Sequence, residues 1–383
     1  MTVDFDRIYD RKGTDSSKWH KYPPDVLPMF VADMDFRSPD VVVEALRTRV
    51  EHGFFGYGRE PTEFYEVAAR RIGERYGWAV APEAIVAVPG VVAGVNLAAQ
   101  TFTSGGGVAL QTPAYPPILA CPEKFGATSR RARLVQDESG RYTPDWDEFE
   151  AAVAASEMFI LCNPHNPVGR AFERDELERM AKACERHDVL IVSDEIHCDL
   201  VFRGHRHTPI ASLSPAVEAR TITFMAPSKT FNLPGLKTSI AIIPDAALRE
   251  RFVAARADLV RGPNILGLAA ATAAYRDGTP WLTEALAYIE GNRDYVTSFV
   301  RTNLPGIHVY PAEATYLAWL DCRGADATAD DPYTFFLEKA KVGLSDGATF
   351  GEDGRGFVRL NFACPRPMLV EGLGRMQRSL AGG

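Results

Sequence analysis

Six short apolar runs constrain the fold of this chain of 383 residues more than any other feature of its sequence. Strands with one solvated face alternate apolar and polar residues, whereas strands covered on both faces read as nearly continuous apolar runs. Several of the six are continuous, and amphipathic segments such as Arg174–Arg186, typical of crossover helices, separate them. The pattern predicts an α/β unit with a mainly parallel sheet. The six runs are Ala84–Val88, Gly107–Gln111, Met158–Cys162, Val189–Ser193, Thr221–Met225 and Ser239–Ile243.

The last third of the chain has a different pattern and predicts a smaller α+β unit. A long helix is predicted over residues 282–302. We expect a large domain at residues 46–280 and a small domain at residues 281–383, with an N-terminal arm, residues 1–45, packed against the small domain. The further predicted strands and helices of the small domain are His308–Tyr310, Tyr316–Leu320, Tyr333–Lys341, Gly356–Asn361 and Met368–Leu380.

Composition narrows the classes of partner and compartment. The net charge of -8 and the pI of about 5.6 argue against nucleic acid and anionic membranes as partners. The polar, acidic start and the lack of any apolar stretch near 18 residues predict neither a secretory signal nor a membrane span. Six cysteines without CxxC pairing suit the reducing cytoplasm. No metal site is predicted, and His205 and His207 are expected to form a surface pair.

Three polar residues follow three of the predicted strands, where the loops of an open α/β sheet bind ligands. Lys229 is either an ordinary loop lysine or a nucleophile that burial keeps partly neutral. Asp194, at the end of an apolar run, is either a helix N-cap or the partner of a buried positive group. Asn166, between two prolines, forms a plain turn or donates a hydrogen bond to a ligand oxygen.

Two further segments have the same position after a predicted strand. The segment Pro89–Gly94 opens an apolar helix, and free amides at a helix N-terminus suit an anion such as phosphate. It matches neither a P-loop nor a GxGxxG fingerprint. Tyr115 stands before two prolines and either stacks on a flat ligand ring or packs as an ordinary aromatic residue.

Taken together, these pieces resemble the fold-type I, class I/II aminotransferase superfamily of pyridoxal 5'-phosphate (PLP) enzymes, over essentially the whole chain. The resemblance is strongest to the MalY/PatB branch of cystathionine β-lyases and cysteine C–S lyases. It implies the fold-type I transferase fold, a large domain with a mainly parallel sheet plus a smaller α+β domain. The stretches that carry it are residues 27–36, 52–57, 162–169, 193–197, 226–232, 313–321 and 358–363.

The resemblance implies roles for four residues around the ring of the cofactor. Lys229 resembles the lysine that carries PLP as a Schiff base and acts as the catalytic base. Asp194 resembles the catalytic partner of the pyridine nitrogen, and Asn166 the donor to the ring oxygen O3'. Tyr115 resembles the residue that stacks on the ring and also borders the substrate.

The resemblance also implies contacts to the phosphate and the substrate. The amides of Val91 and Val92 resemble those that hold the phosphate. Tyr57 is similar to a tyrosine that reaches the phosphate of a neighbouring subunit and contributes to catalysis, which implies a homodimer with shared sites. Arg359 resembles the arginine that grips the substrate α-carboxylate, and Asp33 is expected to contact the substrate.

Five positions depart from the family pattern: Ala226, Lys237, His197, Phe30 and Ile118. Lys237 stands where the superfamily has an arginine, so it can meet a phosphate as a point charge only, and Ser228 is expected to add a hydroxyl. His197 occupies the place of a tyrosine that helps to hold O3', either in contact with the cofactor or one layer behind it. Phe30 replaces a common tryptophan, so the substrate need not be cystathionine.

The implied function is a carbon–sulfur β-lyase that cleaves cystathionine or another S-substituted L-cysteine, a small-molecule amino-acid substrate, to a thiol, pyruvate and ammonia. An aminotransferase is the first alternative, and a decarboxylating or deaminating enzyme acting on a cysteine S-conjugate is another. A regulator built on the same fold is the non-enzymatic alternative. The arm is too short for a DNA-binding segment, and its basic residues, Lys18 among them, are expected to be a solvated surface.

Overall fold

The computed structural model of the chain describes residues 3–328 and 330–382. Its strands fall into an eight-stranded, a four-stranded and a two-stranded sheet. The strands are β1 (Leu27–Pro28), β2 (Ile85–Val88), β3 (Gly107–Thr112), β4 (Thr128–Gln136), β5 (Tyr142–Pro144), β6 (Met158–Cys162), β7 (Leu190–Asp194), β8 (Thr221–Met225), β9 (Ser239–Ile242), β10 (His308–Val309), β11 (Leu317–Asp321), β12 (Val342–Gly343), β13 (Ser345–Asp346) and β14 (Phe357–Asn361).

Helices cover the sheets and connect the strands. They are α1 (Ser17–His20), α2 (Asp40–Glu51), α3 (Thr62–Tyr76), α4 (Val91–Phe102), α5 (Pro116–Leu119), α6 (Cys121–Lys124), α7 (Trp146–Ala154), α8 (Arg174–Arg186), α9 (Pro215–Ala219), α10 (Pro227–Thr230), α11 (Ala246–Leu259), α12 (Ile265–Asp277), α13 (Thr279–Asn303), α14 (Pro332–Phe335) and α15 (Arg366–Ala381). None of these helices has the combination of length and hydropathy that a membrane span needs.

The eight-stranded sheet has the order β2-β9-β8-β7-β6-β3-β4-β5. Its centre, from β8 through β4, is parallel, and β9 is antiparallel to both of its neighbours. Alternate residues of β6 belong to different hydrophobic clusters: Phe159 and Leu161 pack on one face, and Met158 and Ile160 on the other. Because both faces are covered, the central strands are continuously apolar, as the sequence predicted.

The predicted runs match β2, β3, β6, β7, β8 and β9 to within one residue at each end. The strand β4 was missed. Its residues are mostly exposed, with only Ala132 and Leu134 buried, so its polar sequence carries no core pattern.

The antiparallel four-stranded sheet has the order β10-β11-β14-β13, and the short strand β1 of the arm pairs with β12. The predicted helix at residues 333–341 is instead the short helix α14 followed by a π-helical turn, Phe336–Ala340. The predicted domain boundary after residue 280 falls in the first turn of α13, and the division into two domains stays a prediction.

Candidate active site

Five loops converge at the carboxyl end of the eight-stranded sheet. In β6, β7 and β8 the register aligns Cys162 with Asp194 and Asp194 with Phe224, so the three strands end side by side. Asn166 therefore follows β6, Asp194 ends β7, and Lys229 lies in α10 just beyond β8. The loops after β2 and β3 bring the start of α4 and Tyr115 to the same edge.

A cavity of about 500 Å³ lies at this edge, and β14 of the small sheet contributes Arg359 to its wall. Ten of the twelve residues singled out in the sequence line it together: Val91, Val92, Tyr115, Asn166, Asp194, His197, Ser228, Lys229, Lys237 and Arg359.

The amine of Lys229 is held by the backbone of the arm. Its Nζ donates a hydrogen bond to the carbonyl oxygen of Ala32 (2.6 Å). Burial, together with the nearby Arg359 guanidinium, lowers the pKa of Lys229 to about 8, although the carboxylates of Asp33 and Asp194 oppose this shift. A substantial fraction of the amine is therefore neutral near physiological pH, as a nucleophile or base requires.

The carboxylate of Asp194 is buried without a hydrogen-bonded cation among the described residues. Its Oδ1 accepts a hydrogen bond from the amide of Ile196 (3.1 Å), in a turn rather than at the start of a helix. Burial raises the pKa of Asp194 to about 6, so the group is still ionised at neutral pH. A buried carboxylate of this kind is costly unless a positive group joins it, and it faces the cavity.

Arg359 and Asn166 form a hydrogen-bonded pair in the wall of the cavity. The Nη1 of Arg359 donates to Oδ1 of Asn166 (2.8 Å), which leaves the Nδ2 of Asn166 as its remaining donor. The Nη2 of Arg359 donates to the carbonyl oxygen of Phe30 (3.0 Å) and to Oγ of Ser345 (3.1 Å). Burial lowers the pKa of Arg359 to about 10, so the guanidinium remains charged at neutral pH.

The N-terminus of α4 opens directly into the cavity. Gly90 precedes the helix with φ of 132°, a conformation that a side chain disfavours, and its amide donates to Oγ of Ser239 (3.1 Å). The next amides, those of Val91 and Val92, have no acceptor within the helix, because no earlier turn supplies carbonyl oxygens for the first amides of a helix. Free amides at a helix N-terminus suit an anion, and the predicted role of these two amides in holding a phosphate stays a prediction.

His197, Ser228 and Lys237 complete the polar lining. His197 is buried, its Nδ1 has no hydrogen-bond partner among the described residues, and burial holds its pKa well below the usual range, so the ring is neutral. Ser228 is buried and its hydroxyl donates to the carbonyl oxygen of Thr238 (3.4 Å). Lys237 is exposed at the cavity edge.

Two of the predicted residues lie outside the cavity lining. Tyr57 is fully exposed, at 102% of its reference area. Asp33 directs its carboxylate toward Lys18 (3.3 Å) and Arg11 (3.4 Å) instead. The predicted contacts of Tyr57 with a phosphate and of Asp33 with a substrate stay predictions.

Sequence reasoning missed the contribution of the arm backbone and its supports. The carbonyls of Phe30 and Ala32 accept from Arg359 and Lys229, and Tyr316 and Asn361 donate to the same segment. Backbone acceptors leave no signal in a sequence. For Asn361 the sequence did carry a signal. It stands two residues after Arg359 in a strand, so the two side chains lie on the same face.

Two expectations about charged residues were wrong. His207 is buried, and its Nε2 lies 2.7 Å from Oε2 of the equally buried Glu195, which gives that carboxylate a structural partner. Lys18 is also buried, with its Nζ 2.7 Å from Oδ2 of Asp35. Both residues stand next to polar stretches of the sequence, so no local pattern predicts their burial. They are buried by packing in the folded protein.

The cavity fits pyridoxal phosphate by the chemistry of its lining. It offers an amine of lowered pKa in Lys229, an unpaired buried carboxylate in Asp194 for a protonated ring nitrogen, and a helix N-terminus for a phosphate. Among the described residues, the amine of Lys229 bonds only to a neutral carbonyl and the carboxylate of Asp194 only to a backbone amide. PLP carries an aldehyde, a ring nitrogen and a phosphate, which complement the amine, the carboxylate and the helix N-terminus.

Comparison with known proteins agrees with this fit. The family model described as aminotransferase class I and II matches residues 24–375. The chain is 40% identical to cystathionine beta-lyase PatB of Bacillus subtilis, covering 99% of the chain and all of PatB. It is 34% identical to protein MalY of Escherichia coli, covering 97% of each.

Solved structures give the same result. Cystalysin from Treponema denticola, whose crystal structure contains pyridoxal 5'-phosphate, superposes with a TM-score of 0.95 at 32% identity, with 100% of both chains covered. The chain therefore belongs to the class I and II aminotransferase family of pyridoxal-phosphate-dependent, fold-type I enzymes, in the branch that includes MalY and PatB.

Proposed function

We propose that this protein is a PLP-dependent carbon–sulfur β-lyase that converts an S-substituted L-cysteine and water into a thiol, pyruvate and ammonia. The observation that carries the proposal is the grouping of Lys229, Asp194 and Arg359 around one cavity. The names of its relatives, such as cystathionine beta-lyase for PatB, favour β-elimination among the reactions that this grouping serves.

When bound, PLP supplies an electron sink for the negative charge that develops on the substrate Cα. Lys229 anchors the cofactor through its amine and, once free, removes the Cα proton. Its lowered pKa suits both tasks, because only the neutral amine attacks or accepts a proton. Asp194, ionised at neutral pH, holds the proton on the ring nitrogen.

The remaining residues bind and orient. We assign the phosphate to the amides of Val91 and Val92, with Ser228 and Lys237 at its edge, and the ring face to Tyr115. The Nδ2 of Asn166 donates to the ring oxygen, because its Oδ1 is engaged by Arg359. His197, which is neutral and has no hydrogen-bond partner for its Nδ1 among the described residues, lines the same cavity.

Arg359 binds the substrate α-carboxylate. Its two terminal nitrogens now bond to the neutral acceptors Asn166 and Phe30, and a carboxylate is a stronger, bidentate acceptor for a guanidinium. This contact places Cα near Lys229. The proton removed from Cα and the bond broken between Cβ and sulfur leave a thiolate, which is protonated on release, and a three-carbon fragment that water converts to pyruvate and ammonia.

The test is pyruvate release from L-cystathionine and a panel of S-substituted cysteines, with PLP and without any keto acid. We expect many turnovers per active site, lost in Lys229→Ala, and the ranking of rates to outline the thiol pocket. An enzyme that releases no pyruvate from any of these substrates would contradict the proposal.

An aminotransferase is the second candidate, favoured by the description of the matching family model. A transaminase needs a keto acid to complete its cycle, whereas a β-lyase does not. Turnover that depends strictly on an added keto acid would therefore select this candidate.

We also propose a cytoplasmic homodimer. The segment after α2 exposes Phe54 and Phe55, at 74% and 58% of their reference areas, beside the fully exposed Tyr57. Contiguous exposed aromatic residues are typical of an interface, and a second copy of the chain is the partner that the family resemblance implies. Six buried cysteines, all free, support the reducing compartment.

A further inference from the structure

The backbone of residues 30–33, here called the strap, borders the cavity, and each of its four carbonyl oxygens accepts a hydrogen bond from a side chain. Asn361 donates from Nδ2 to the carbonyl oxygens of Val31 and Asp33, each at 2.6 Å. Arg359, on the same face of β14, donates to the carbonyl of Phe30 (3.0 Å). Each of these carbonyls therefore has a defined direction.

The carbonyl of Ala32 lies between these fixed points and accepts two hydrogen bonds. One comes from Nζ of Lys229 (2.6 Å) and the other from the hydroxyl of Tyr316 (3.0 Å). A carbonyl oxygen has two lone pairs, so both donors bind together and the direction of one constrains that of the other.

Tyr316 is suited to hold this carbonyl still. Its side chain is buried, with 1% of its area exposed, and its ring meets the ring of His197 edge to face, with centroids 6.0 Å apart. Its backbone oxygen accepts from the amide of Phe362 (2.9 Å), which ties it to the end of β14. Burial raises the pKa of Tyr316, so the hydroxyl stays protonated and donates.

We infer that Tyr316 is a positioning residue: through the carbonyl of Ala32 it aims the free amine of Lys229. Tyr316 does not line the cavity, so its action is indirect. The inference rests on the proposed function only in that the free amine must move a proton at Cα. Proton transfer depends steeply on alignment, and a displacement near 1 Å can lower a rate by on the order of a hundredfold.

The matched pair of variants is Tyr316→Phe and Tyr275→Phe. The first removes only the hydroxyl that donates to Ala32. The second removes a hydroxyl from a residue that is also buried, with 7% of its area exposed, but that lies in α12 and does not line the cavity. Urea denaturation of each variant compares the cost to folding.

The first readout uses the cofactor-free protein and needs no enzyme activity. Reductive methylation of Lys229, followed by mass spectrometry across pH, reports the neutral fraction of its amine, and we expect a midpoint near 8 in the parent protein. A fixed carbonyl favours the charged amine, so releasing it in Tyr316→Phe should lower the midpoint by about half a pKa unit and speed methylation at pH 7 about threefold. A profile that coincides with the parent's would overturn the inference.

The second readout uses the holoenzyme and Cα-deuterated substrate. We expect Tyr316→Phe to lower kcat by roughly tenfold or more, to enlarge the deuterium isotope effect on kcat, and to leave KM and PLP affinity within about twofold, whereas Tyr275→Phe changes none of these. A lower kcat with an unchanged isotope effect would assign Tyr316 a merely structural role and overturn the inference. If the parent enzyme releases no pyruvate, the proposed function fails, and the methylation profile still decides the role of Tyr316.

Discussion

Two adjacent carboxylates, Asp194 and Glu195, illustrate how single side chains acquire different tasks. Glu195 is buried against His207 and the hydroxyl of Ser193, which satisfies it. Asp194 is buried facing the cavity, where one backbone amide is its hydrogen-bond donor among the described residues. The carboxylate of Asp194 is therefore the one available to a ligand. Until a ligand binds, its buried charge destabilises the folded protein.

Asp194→Asn should therefore stabilise the cofactor-free protein while it impairs the enzyme. Burial raises the folded-state pKa of Asp194 from 3.8 to about 6, so the folded state carries a penalty of up to about 3 kcal/mol above pH 6, which vanishes below pH 3.8. We expect the free energy of unfolding of the apoprotein in urea to rise by about 1–3 kcal/mol at pH 7.5 and to change little at pH 3.5. The kcat of the holoenzyme should fall on the order of a hundredfold.

The exposed Asp15 provides the control, since Asp15→Asn alters no buried charge. An Asp194→Asn apoprotein with a lower free energy of unfolding than the parent at pH 7.5 would show that the carboxylate does not destabilise the folded state.

Among the elements, α4 has the clearest functional geometry. It starts at Val91, immediately after β2, and the turn between them depends on the positive φ of Gly90. Ser239 of β9 supports this turn by accepting from the amide of Gly90 and donating to the carbonyl of Val88 (3.1 Å each). The helix N-terminus is thus fixed by the sheet itself rather than by a flexible loop.

Gly90→Ala should destabilise the apoprotein by about 1–3 kcal/mol, because a non-glycine residue is strained at φ of 132°. Apart from the adjacent residues, no atom in the described part of the chain lies within 4 Å of the position of an added Cβ, so the cost comes from the backbone. We expect weaker PLP binding as well, measured by titration of the apoprotein, since relief of the strain would turn the amides of Val91 and Val92.

Gly73→Ala in α3 is the matched control. Its added Cβ would meet only the carbonyl oxygen of Trp78 at 3.9 Å, and the position is helical. This change should be neutral or stabilise the protein by up to about 1 kcal/mol. Equal effects of the two substitutions would argue against a conformational requirement at Gly90.

At the scale of the whole molecule, we propose that a second copy of the chain completes each cavity. Tyr57 and the cavity of the same chain are not in contact, and Tyr57 stands fully exposed beside Phe54 and Phe55. The proposed dimer accounts for both observations with one arrangement.

Mixed dimers test this arrangement directly. If Tyr57 acts in the cavity of the other subunit, Tyr57→Ala and Lys229→Ala, each inactive or nearly so alone, should regain activity when they are unfolded and refolded together. One site in each mixed dimer then has an intact Lys229 and an intact Tyr57, so about a quarter of the sites recover. Light scattering gives the oligomeric state, and no gain on mixing would contradict sharing of the sites.

The sequence by itself determined the parallel sheet and much of the site. Continuous apolar runs mark strands that are buried on both faces, and the loops beyond the carboxyl ends of parallel strands meet at one edge, so the sequence predicted a common location for Asn166, Asp194 and Lys229. The structure added the order and register that set β6, β7 and β8 side by side. The resemblance to a known family added Arg359, which no local pattern connects with the large sheet.

Only the tertiary structure decided the environments. The burial of Lys18 and His207, the exposed strand β4 and the strap that holds Lys229 and Arg359 depend on contacts between segments far apart in the chain. The carbonyl of Ala32 and the hydroxyl of Tyr316 come from residues 284 positions apart. Every residue carries the same backbone carbonyl, so its function is set by what the fold places beside it, and a one-dimensional pattern does not encode that.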